Sequence, residues 1–231
     1  MDAADAAAAT HDENVHGIAG RRHIQCDEIW SFAYCKETRV PYAKAAPQEA
    51  GDAWTWRALD SDSKLIVSYL TGPRDSQSAL NFMDDLIHRI TERPQISTDG
   101  FKEYREAVND AFGGDVDFAQ LIKEYGKDED ADERKYRPAK FTGMEIGFTS
   151  LTNALSKKQE YLCAATALYF YSYNWVKPHG SVRTKRNNRI TPAMAAGLTD
   201  RPATLEQLVA LIDERAPAVN YVRKYGPKSA K

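Results

Sequence analysis

The sequence predicts a mixed α/β fold, in which helices flank a single β-sheet. Three observations support this prediction. Strand-like segments fill the chain up to Leu70, a helical period begins after Gly72-Pro73, and single strands then alternate with helices. A hairpin pair of strands, followed by strands that are reached through helices, is typical of a mixed sheet.

The first three strands come from segments rich in aliphatic and aromatic residues. Ile24 to Phe32 has the composition and alternation of a strand. Trp54 to Leu59 and Leu65 to Leu70 follow, and the short polar link Asp60 to Lys64 separates them. A link of this kind favours an antiparallel hairpin.

Helices and single strands alternate in the middle of the chain. Apolar residues recur at helical spacing from Ala79 to Ile90, with Asp75 or Ser76 as the expected N-cap. A strand, a helix and another strand follow at Gln95 to Thr98, from about Lys102 to Gly113, and at Val116 to Ile122. A ribonuclease H-like sheet has this order of elements.

The last third of the chain is predicted to be helical. Three helices are expected at Ser156 to Val176, Thr191 to Gly197 and Thr204 to Arg215. We therefore expect three regions: a leader at 1–21, a ribonuclease H-like domain at 22–199, and a C-terminal helix with a basic tail at 200–231. The leader is expected to be disordered or loosely packed, because it lacks apolar periodicity.

Composition excludes several classes of protein. The 231 residues carry a formal net charge of −2, and no apolar run approaches the roughly 20 residues of a membrane-spanning helix. The three cysteines contain no C-x-x-C pair, so neither a disulfide framework nor a structural zinc site is indicated. We expect a cytoplasmic protein with no membrane association and no small-molecule cofactor.

Asp27 and Asp99 are the strongest candidates for a chemical role. Each lies in or at the end of an apolar strand, where an unpaired charge is strongly unfavourable. Carboxylate oxygens suit Mg²⁺ (or Mn²⁺), and a pair of such ions can promote phosphodiester cleavage. The alternative is that both are strand-end or turn aspartates, as we expect for Asp60 and Asp62 in the hairpin link.

A basic stretch with no acidic residue runs from Asn174 to Ile190 and is the candidate DNA-binding segment. Its candidate contacts to phosphates are Lys177, His179, Arg183, Lys185, Arg186 and Arg189. Trp175 could pack on a sugar or base. A solvated charge run and an ordinary loop histidine are the alternatives.

Six segments resemble, in order, successive blocks of the insertion-sequence-1 type transposases. They are Cys26–Phe32, Gly51–Trp56, Thr98–Gly100, Leu151–Lys158, Tyr173–His179 and Thr191–Thr199. The resemblance implies a ribonuclease H-like catalytic domain of the DDE group, which cuts and joins DNA with two aspartates and a glutamate around Mg²⁺. It makes Asp27 the first acid and Asp99 the second. It also implies DNA (element ends and target) as a partner, and a homo-oligomer.

The chain departs from the family pattern in two places. The usual N-terminal zinc-ribbon and helix-turn-helix region has no counterpart before Asp27. The segment that carries the family's catalytic glutamate is also missing, as though about 30 residues had been deleted near 143–148. Glu145 is the nearest acid to this junction and the candidate third catalytic residue, with Glu133 as the next substitute. A solvated glutamate is the alternative for Glu145.

Three functional hypotheses follow from the sequence. The first is a transposase that catalyses metal-dependent cleavage and strand transfer of an insertion element. The second is a decayed or repurposed copy that binds DNA or a transposase subunit without catalysis. The third is an α/β protein unrelated to DNA.

Overall fold

The structure is a computed structural model that describes residues 3–20, 22–121 and 157–215 of the 231-residue chain. The predicted strands and helices, apart from the start of the long C-terminal helix, fall within these ranges. Glu133, Glu145, the junction at 143–148 and the basic tail lie outside them.

Five strands form one mixed sheet. Their bounds are β1 His23–Ala33, β2 Gly51–Asp60, β3 Ile66–Gly72, β4 Gln95–Thr98 and β5 Asp117–Gln120. The spatial order is β3-β2-β1-β4-β5, with antiparallel pairing among the first three strands of the chain. β4 and β5 add in parallel beside β1. The predicted mixed, ribonuclease H-like sheet is confirmed.

Six α-helices accompany the sheet in the described residues. Their bounds are α1 Ala3–Asn14, α2 Ser76–Arg89, α3 Glu103–Phe112, α4 Gln159–Tyr171, α5 Pro192–Ala195 and α6 Leu205–Arg215. A 3₁₀-helix spans Glu37–Tyr42, and a π-helical turn at Ser172–Val176 extends α4. The helical C-terminal region is therefore confirmed.

Three predicted helix starts have the expected caps. The Asp75 side chain accepts a hydrogen bond from the Ser78 backbone N–H at 2.8 Å, which begins α2. Thr191 accepts one from Met194 N–H at 3.3 Å, with Pro192 in the first helical turn. Before α6, a reciprocal capping box links Thr204 and Gln207.

The two faces of the sheet are covered by different helices. On one face, the buried Trp56 ring of β2 contacts Phe82 of α2 at 5.9 Å and Tyr104 of α3 at 5.6 Å between centroids. On the other face, Tyr69 of β3 contacts Phe170 of α4 at 4.9 Å. Trp56 and Arg57 are adjacent on β2, so their side chains point to opposite faces of the sheet. Tyr69 is paired with Arg57 and shares its face, so the Tyr69 and Trp56 rings lie on opposite faces.

The expected disordered or loosely packed leader is wrong for the described residues of 1–21. The helix α1 packs against α4 and α6, and its Ala6 and Ala7 are buried, as is Val15 just after it. Small alanine side chains let helices approach closely without a strong apolar stripe, which explains why periodicity missed this segment. Arg89 of α2 fixes the helix end through Asp12 at 2.7 Å and the Val15 carbonyl at 3.0 Å.

The outer edge of β3 is occupied by side chains from other elements. Asn174, in the π-helical turn, accepts from Ile66 N–H at 3.0 Å and donates to the Ile66 carbonyl at 2.9 Å. His11 of α1 bonds the Val67 carbonyl through Nε2 at 3.1 Å. Segments that precede β1 and follow α4 therefore meet at this strand.

No helix in the described ranges is long and apolar enough to cross a membrane.

Candidate active site and nucleic-acid interface

Asp27 lies in the middle of β1, and Asp99 directly follows the adjacent parallel strand β4. The pairing of the two strands joins His23 to Gln95 and Gln25 to Ser97, so Asp27 and Asp99 each come two residues after the last paired residues. Their side chains are 40% and 43% exposed. Both carboxylates are therefore accessible to solvent.

Asp27 is paired with an arginine from the neighbouring strand. Asp27 and Arg57 are directly opposed in the antiparallel register of β1 and β2, and Arg57 Nη2 donates to Asp27 Oδ2 at 3.1 Å. The guanidinium lies on the face covered by α4, where its charge lowers the pKa of Tyr169 and Tyr173 against the larger, opposing effect of burial. The first acid is thus partly neutralised by the protein itself.

Asp99 shares an arginine with a buried glutamate. Arg74 donates to Glu28 Oε2 through Nε at 3.0 Å and through Nη2 at 2.9 Å, and Nη2 also approaches Asp99 Oδ2 at 3.3 Å. The guanidinium lies 4.1 Å from the Phe101 ring centroid and 5.0 Å from that of Trp54. Carboxylates and rings together fix the Arg74 side chain.

Glu28 is the most buried acid of this group, with a side chain only 1% exposed. Burial raises the pKa of Glu28, and repulsion from Asp99 adds to that rise, while Tyr104 and Arg74 oppose it. Glu28 Oε1 makes no hydrogen bond of ordinary geometry within the described residues, although the Tyr104 hydroxyl lies close enough to favour the charged carboxylate. Arg74 is therefore the principal counter-charge of Glu28.

The loop after β4 holds Asp99 in a defined orientation. Asp99 Oδ1 accepts a hydrogen bond from Phe101 N–H at 3.0 Å, and Gln120 of β5 donates to the Phe101 carbonyl at 2.7 Å. This is the side-chain-to-backbone bond of a turn aspartate. The turn therefore engages Oδ1 of Asp99, while Oδ2 contacts Arg74.

The described residues contain no cluster of three or more histidine, cysteine, aspartate or glutamate side chains that could hold a metal ion. Asp27 and Asp99 have the chemistry of Mg²⁺ ligands, because this ion commonly binds proteins through one or two carboxylates together with water and substrate phosphates. That they hold one ion together stays a prediction. Glu145 and Glu133 lie outside the described ranges, so the third acid stays a prediction.

The basic stretch forms an exposed loop closed by short-range hydrogen bonds. Arg183 and Arg189 pair in an antiparallel bridge, and the Thr184 N–H bonds the Asn188 carbonyl at 2.9 Å. The positive φ of Asn187 (66°) permits the tight turn. All of the predicted cations in this segment are exposed: Lys177, Arg183, Lys185, Arg186 and Arg189.

His179 and Trp175 differ from the other candidates for DNA contact. His179 is half-buried against Tyr173 at 5.8 Å, and burial together with Lys64 lowers its pKa. Its Nδ1 accepts from the Ser181 backbone N–H at 3.2 Å, so a structural role in the loop is established. Trp175 is buried, and the expectation that it could pack on a nucleotide is wrong.

Asp60 has the structural role expected from its place in the hairpin link. Its buried carboxylate binds Arg22 at 3.1 Å, the Ser63 hydroxyl at 2.5 Å and the Asp62 backbone N–H at 3.3 Å. The carboxylate thus organises the turn between β2 and β3.

Residues 49–154 match a family model that is described as a DDE domain, of the insertion-sequence-240 type. Over these residues the chain is similar to a DDE domain of insertion-sequence transposases. The matched range covers just under half of the 231 residues, from β2 to beyond β5. A comparison with curated proteins gave no match.

The DDE domain confirms the predicted kinship with insertion-sequence transposases and, together with the sheet order, the predicted fold. A transposase domain of this kind implies DNA as the partner. The match includes Asp99 but begins after Asp27. The assignment of Asp27 as first acid therefore rests on sheet register and on the sequence blocks quoted above.

Sequence reasoning missed three charged residues of the site: Glu28, Arg57 and Arg74. Glu28 follows Asp27 directly, and burial of an acid within an apolar strand was a usable signal. No signal in the sequence pointed to Arg57 and Arg74, because their roles depend on the β1–β2 register and on the path of the chain after β3.

Proposed function

We propose that the protein is a DNA transposase that catalyses metal-dependent cleavage and strand transfer of an insertion element. The observation that supports this proposal is that Asp27, on β1, and Asp99, just after β4, come two residues beyond the last paired residues of adjacent parallel strands and are both partly exposed. The DDE-domain match over residues 49–154 supports the same reaction class. A homo-oligomer that handles the element ends and the target completes the proposal.

Asp27 and Asp99 are the proposed ligands of Mg²⁺ (or Mn²⁺). A divalent cation bound there supplies Lewis-acid stabilisation of a phosphodiester and of a water or 3′-hydroxyl nucleophile. Asp27 Oδ2 and Asp99 Oδ2 are the oxygens that face arginines, so a cation bound through them would compete with Arg57 and Arg74 for these oxygens.

The exposed basic loop is the proposed grip on the DNA backbone. Lys177, Arg183, Lys185, Arg186 and Arg189 are all exposed, and no acidic residue interrupts the segment that carries them. Contacts to phosphates position a protein on DNA without reading its sequence. His179 supports the loop from within, and we propose that it acts on DNA through the loop conformation.

A second candidate function is a transposase-derived protein that binds DNA or a transposase subunit without cutting. One specific observation favours it, because both aspartates already have counter-charges from the chain. Two-metal strand transfer also calls for a further carboxylate, for which Glu145 is the proposed source.

The deciding experiment is Mg²⁺-dependent nicking of DNA that bears the element's terminal repeats. We expect wild-type protein to nick this DNA, and Asp27→Asn and Asp99→Asn each to lower the rate by at least about 100-fold, as for loss of a metal ligand. Asp84→Asn, an exposed aspartate on α2, is the matched control and should retain the wild-type rate. Equal rates in all four proteins would contradict the two-aspartate mechanism, whereas an inactive wild type that still binds the DNA would favour the second candidate.

A further inference from the structure

One row of side chains on β1 passes from the core to solvent within a few residues. Ile24 and Cys26 are buried beneath α2 and α3, Glu28 is buried beside Arg74, and Trp30 is 37% exposed. Because alternate residues of a strand share a face, this row lies on a single side of the sheet. Its outer end leaves an indole ring accessible to solvent.

Further rings and cations extend this row into a continuous surface. Trp30 lies 5.7 Å from Phe32 between centroids and is paired in register with Trp54 of β2. Lys36 Nζ lies 5.0 Å above the Trp30 ring, and Arg74 lies 5.0 Å from the Trp54 ring. We call this surface the Trp30 track, defined by Trp30, Phe32, Lys36, Trp54 and Arg74.

The Trp30 track ends at the proposed active site. Arg74, its innermost member, contacts Asp99 Oδ2 at 3.3 Å. Its outermost member, Lys36, is exposed on a flexible side chain. A strand of DNA whose phosphate lies at Asp99 therefore meets, in succession, a guanidinium, two indole rings and an ammonium group.

The charge around the outer end suits an anionic ligand. The connection between β1 and β2 carries three exposed cations, Lys36, Arg39 and Lys44. Its two acids, Glu37 and Glu49, are exposed as well, and Glu37 Oε2 accepts a hydrogen bond from Asp52 N–H at 3.3 Å. With three cations against two acids, the formal charge of this segment is +1.

We infer that the Trp30 track binds unpaired DNA next to the cleavage position, with a base stacked on Trp30 and a phosphate paired with Lys36. Aromatic rings with neighbouring cations are the usual means of holding single strands, because every base has a π-face and every nucleotide a phosphate. The faces of the DNA bases are accessible in unpaired DNA and are covered in a duplex. This inference rests on the proposed function and specifies the form of DNA that the site takes.

The test compares binding of two fluorescein-labelled DNAs, an oligothymidylate of about 12 nucleotides and a duplex of equal length. Fluorescence anisotropy in EDTA at fixed salt measures the affinity for each. Trp30→Ala and Trp30→Leu should weaken binding of the single strand on the order of 5- to 150-fold, the range for loss of one stacked base. Trp30→Phe, which keeps a ring, should bind within about threefold of wild type. Lys36→Gln should reduce the slope of log affinity against log salt by about 0.7.

Tyr161→Ala is the matched control. Tyr161 is 55% exposed on α4 and has Lys158 over its ring at 5.7 Å, so it reproduces the ring and cation of the Trp30 track on a different element. Its replacement should leave single-strand binding unchanged. The far-ultraviolet circular dichroism of each variant checks the fold, and Trp30→Leu retains apolar packing if Trp30→Ala does not fold.

The outcomes separate this inference from the proposed function. Single-strand binding that is equal in Trp30→Leu and Tyr161→Ala would overturn the Trp30 track as a binding site. A wild-type protein that binds the duplex and not the oligothymidylate would overturn it too, and would leave the transposase proposal standing. A wild type that binds neither form would overturn both.

Discussion

Arg74 has more influence on the site than any other single residue in the described part of the chain. It neutralises the buried Glu28, contacts Asp99 and packs between Trp54 and Phe101. Removal of one partner of a buried ion pair leaves the other charge without compensation. Arg74 therefore links the stability of the sheet to the electrostatics of the proposed metal site.

Replacing Arg74 should destabilise the protein through Glu28. We expect Arg74→Met to lower the free energy of unfolding by about 2 to 3 kcal/mol, less than for a fully buried pair because Arg74 is partly exposed. Urea denaturation measures the change. The double variant Glu28→Gln, Arg74→Met should recover part of the loss, since it removes the unpaired charge.

Arg93→Met is the control for that experiment. Arg93 pairs with Asp117 at 2.8 Å in an exposed ion pair, and its loss should change the free energy of unfolding by less than about 1 kcal/mol. Similar losses in Arg74→Met and Arg93→Met would show that Glu28 does not depend on Arg74.

The residues of the site differ in how far the sequence could predict them. The sequence singled out Asp27 and Asp99, because a charge within or just after an apolar strand calls for compensation, and their role as metal ligands stays a prediction. Arg57 became visible only through the register that sets it opposite Asp27. Neutralisation of the two aspartates was expected from a metal cation. Arginines supply part of it, and no local sequence pattern indicates them.

Among the elements, α1 shows how a buried histidine can anchor a helix. His11 Nε2 bonds the Val67 carbonyl at 3.1 Å, and the His11 ring contacts Tyr69 at 4.8 Å. Burial, with a smaller contribution from Arg89, lowers the pKa of His11 to about 4. The helix is therefore held by a neutral imidazole.

Acidification should weaken this anchor. Between the ordinary pKa of 6.5 and the folded pKa of about 4, the unfolded chain binds a proton at His11 that the folded chain does not, so stability falls as pH falls. Between about pH 7.5 and pH 5, we expect the loss of unfolding free energy to be about 2 kcal/mol larger in wild type than in His11→Gln. Urea denaturation at the two pH values measures it.

His88→Gln serves as the control, because His88 is an exposed histidine on α2. It should keep the wild-type pH dependence, since its side chain takes no part in the contacts of α1. If His11→Gln lost as much stability on acidification as wild type and His88→Gln, the claim that His11 is buried in its neutral form would be wrong.

For the molecule as a whole, the distribution of charge matters more than its sum. The formal net charge is −2, yet the exposed loop after α4 contains cations alone. Attraction to DNA depends on the cations that replace counterions along the phosphates, and a small overall negative charge does not prevent it. Duplex binding should therefore be local to this loop and strongly dependent on salt.

The salt dependence of duplex binding tests this localisation. We expect the double variant Lys185→Gln, Arg186→Gln to reduce the slope of log affinity against log salt by about 2, because each phosphate that the protein neutralises contributes about 0.9 to that slope. Lys157→Gln, Lys158→Gln replaces an adjacent, exposed pair of lysines elsewhere and should leave the slope unchanged. Equal slopes in the two double variants would show that the basic loop is not part of the DNA interface.

At this scale the sequence predicted the sheet better than the packing around it. The order of elements indicated a mixed sheet, since a polar link favours a hairpin and helical crossovers favour parallel strands. The place of α1 was not predictable, because burial of Ala6 and Ala7 depends on the distant helices α4 and α6. The described part of the chain beyond residue 199 also packs on α1. The division of the chain into separate regions at 1–21 and 200–231 stays a prediction.

The contacts on β3 have a consequence for how copies of this protein behave at high concentration. An edge strand with free backbone groups is a template for the strands of other molecules, and can lead to fibrillar aggregation. At Ile66 the amide of Asn174 takes the place of such a strand, and at Val67 the imidazole of His11 does so. Because these side chains come from segments on either side of the sheet in the sequence, a nascent polypeptide exposes this edge until synthesis has passed residue 174, and release of either segment reopens it.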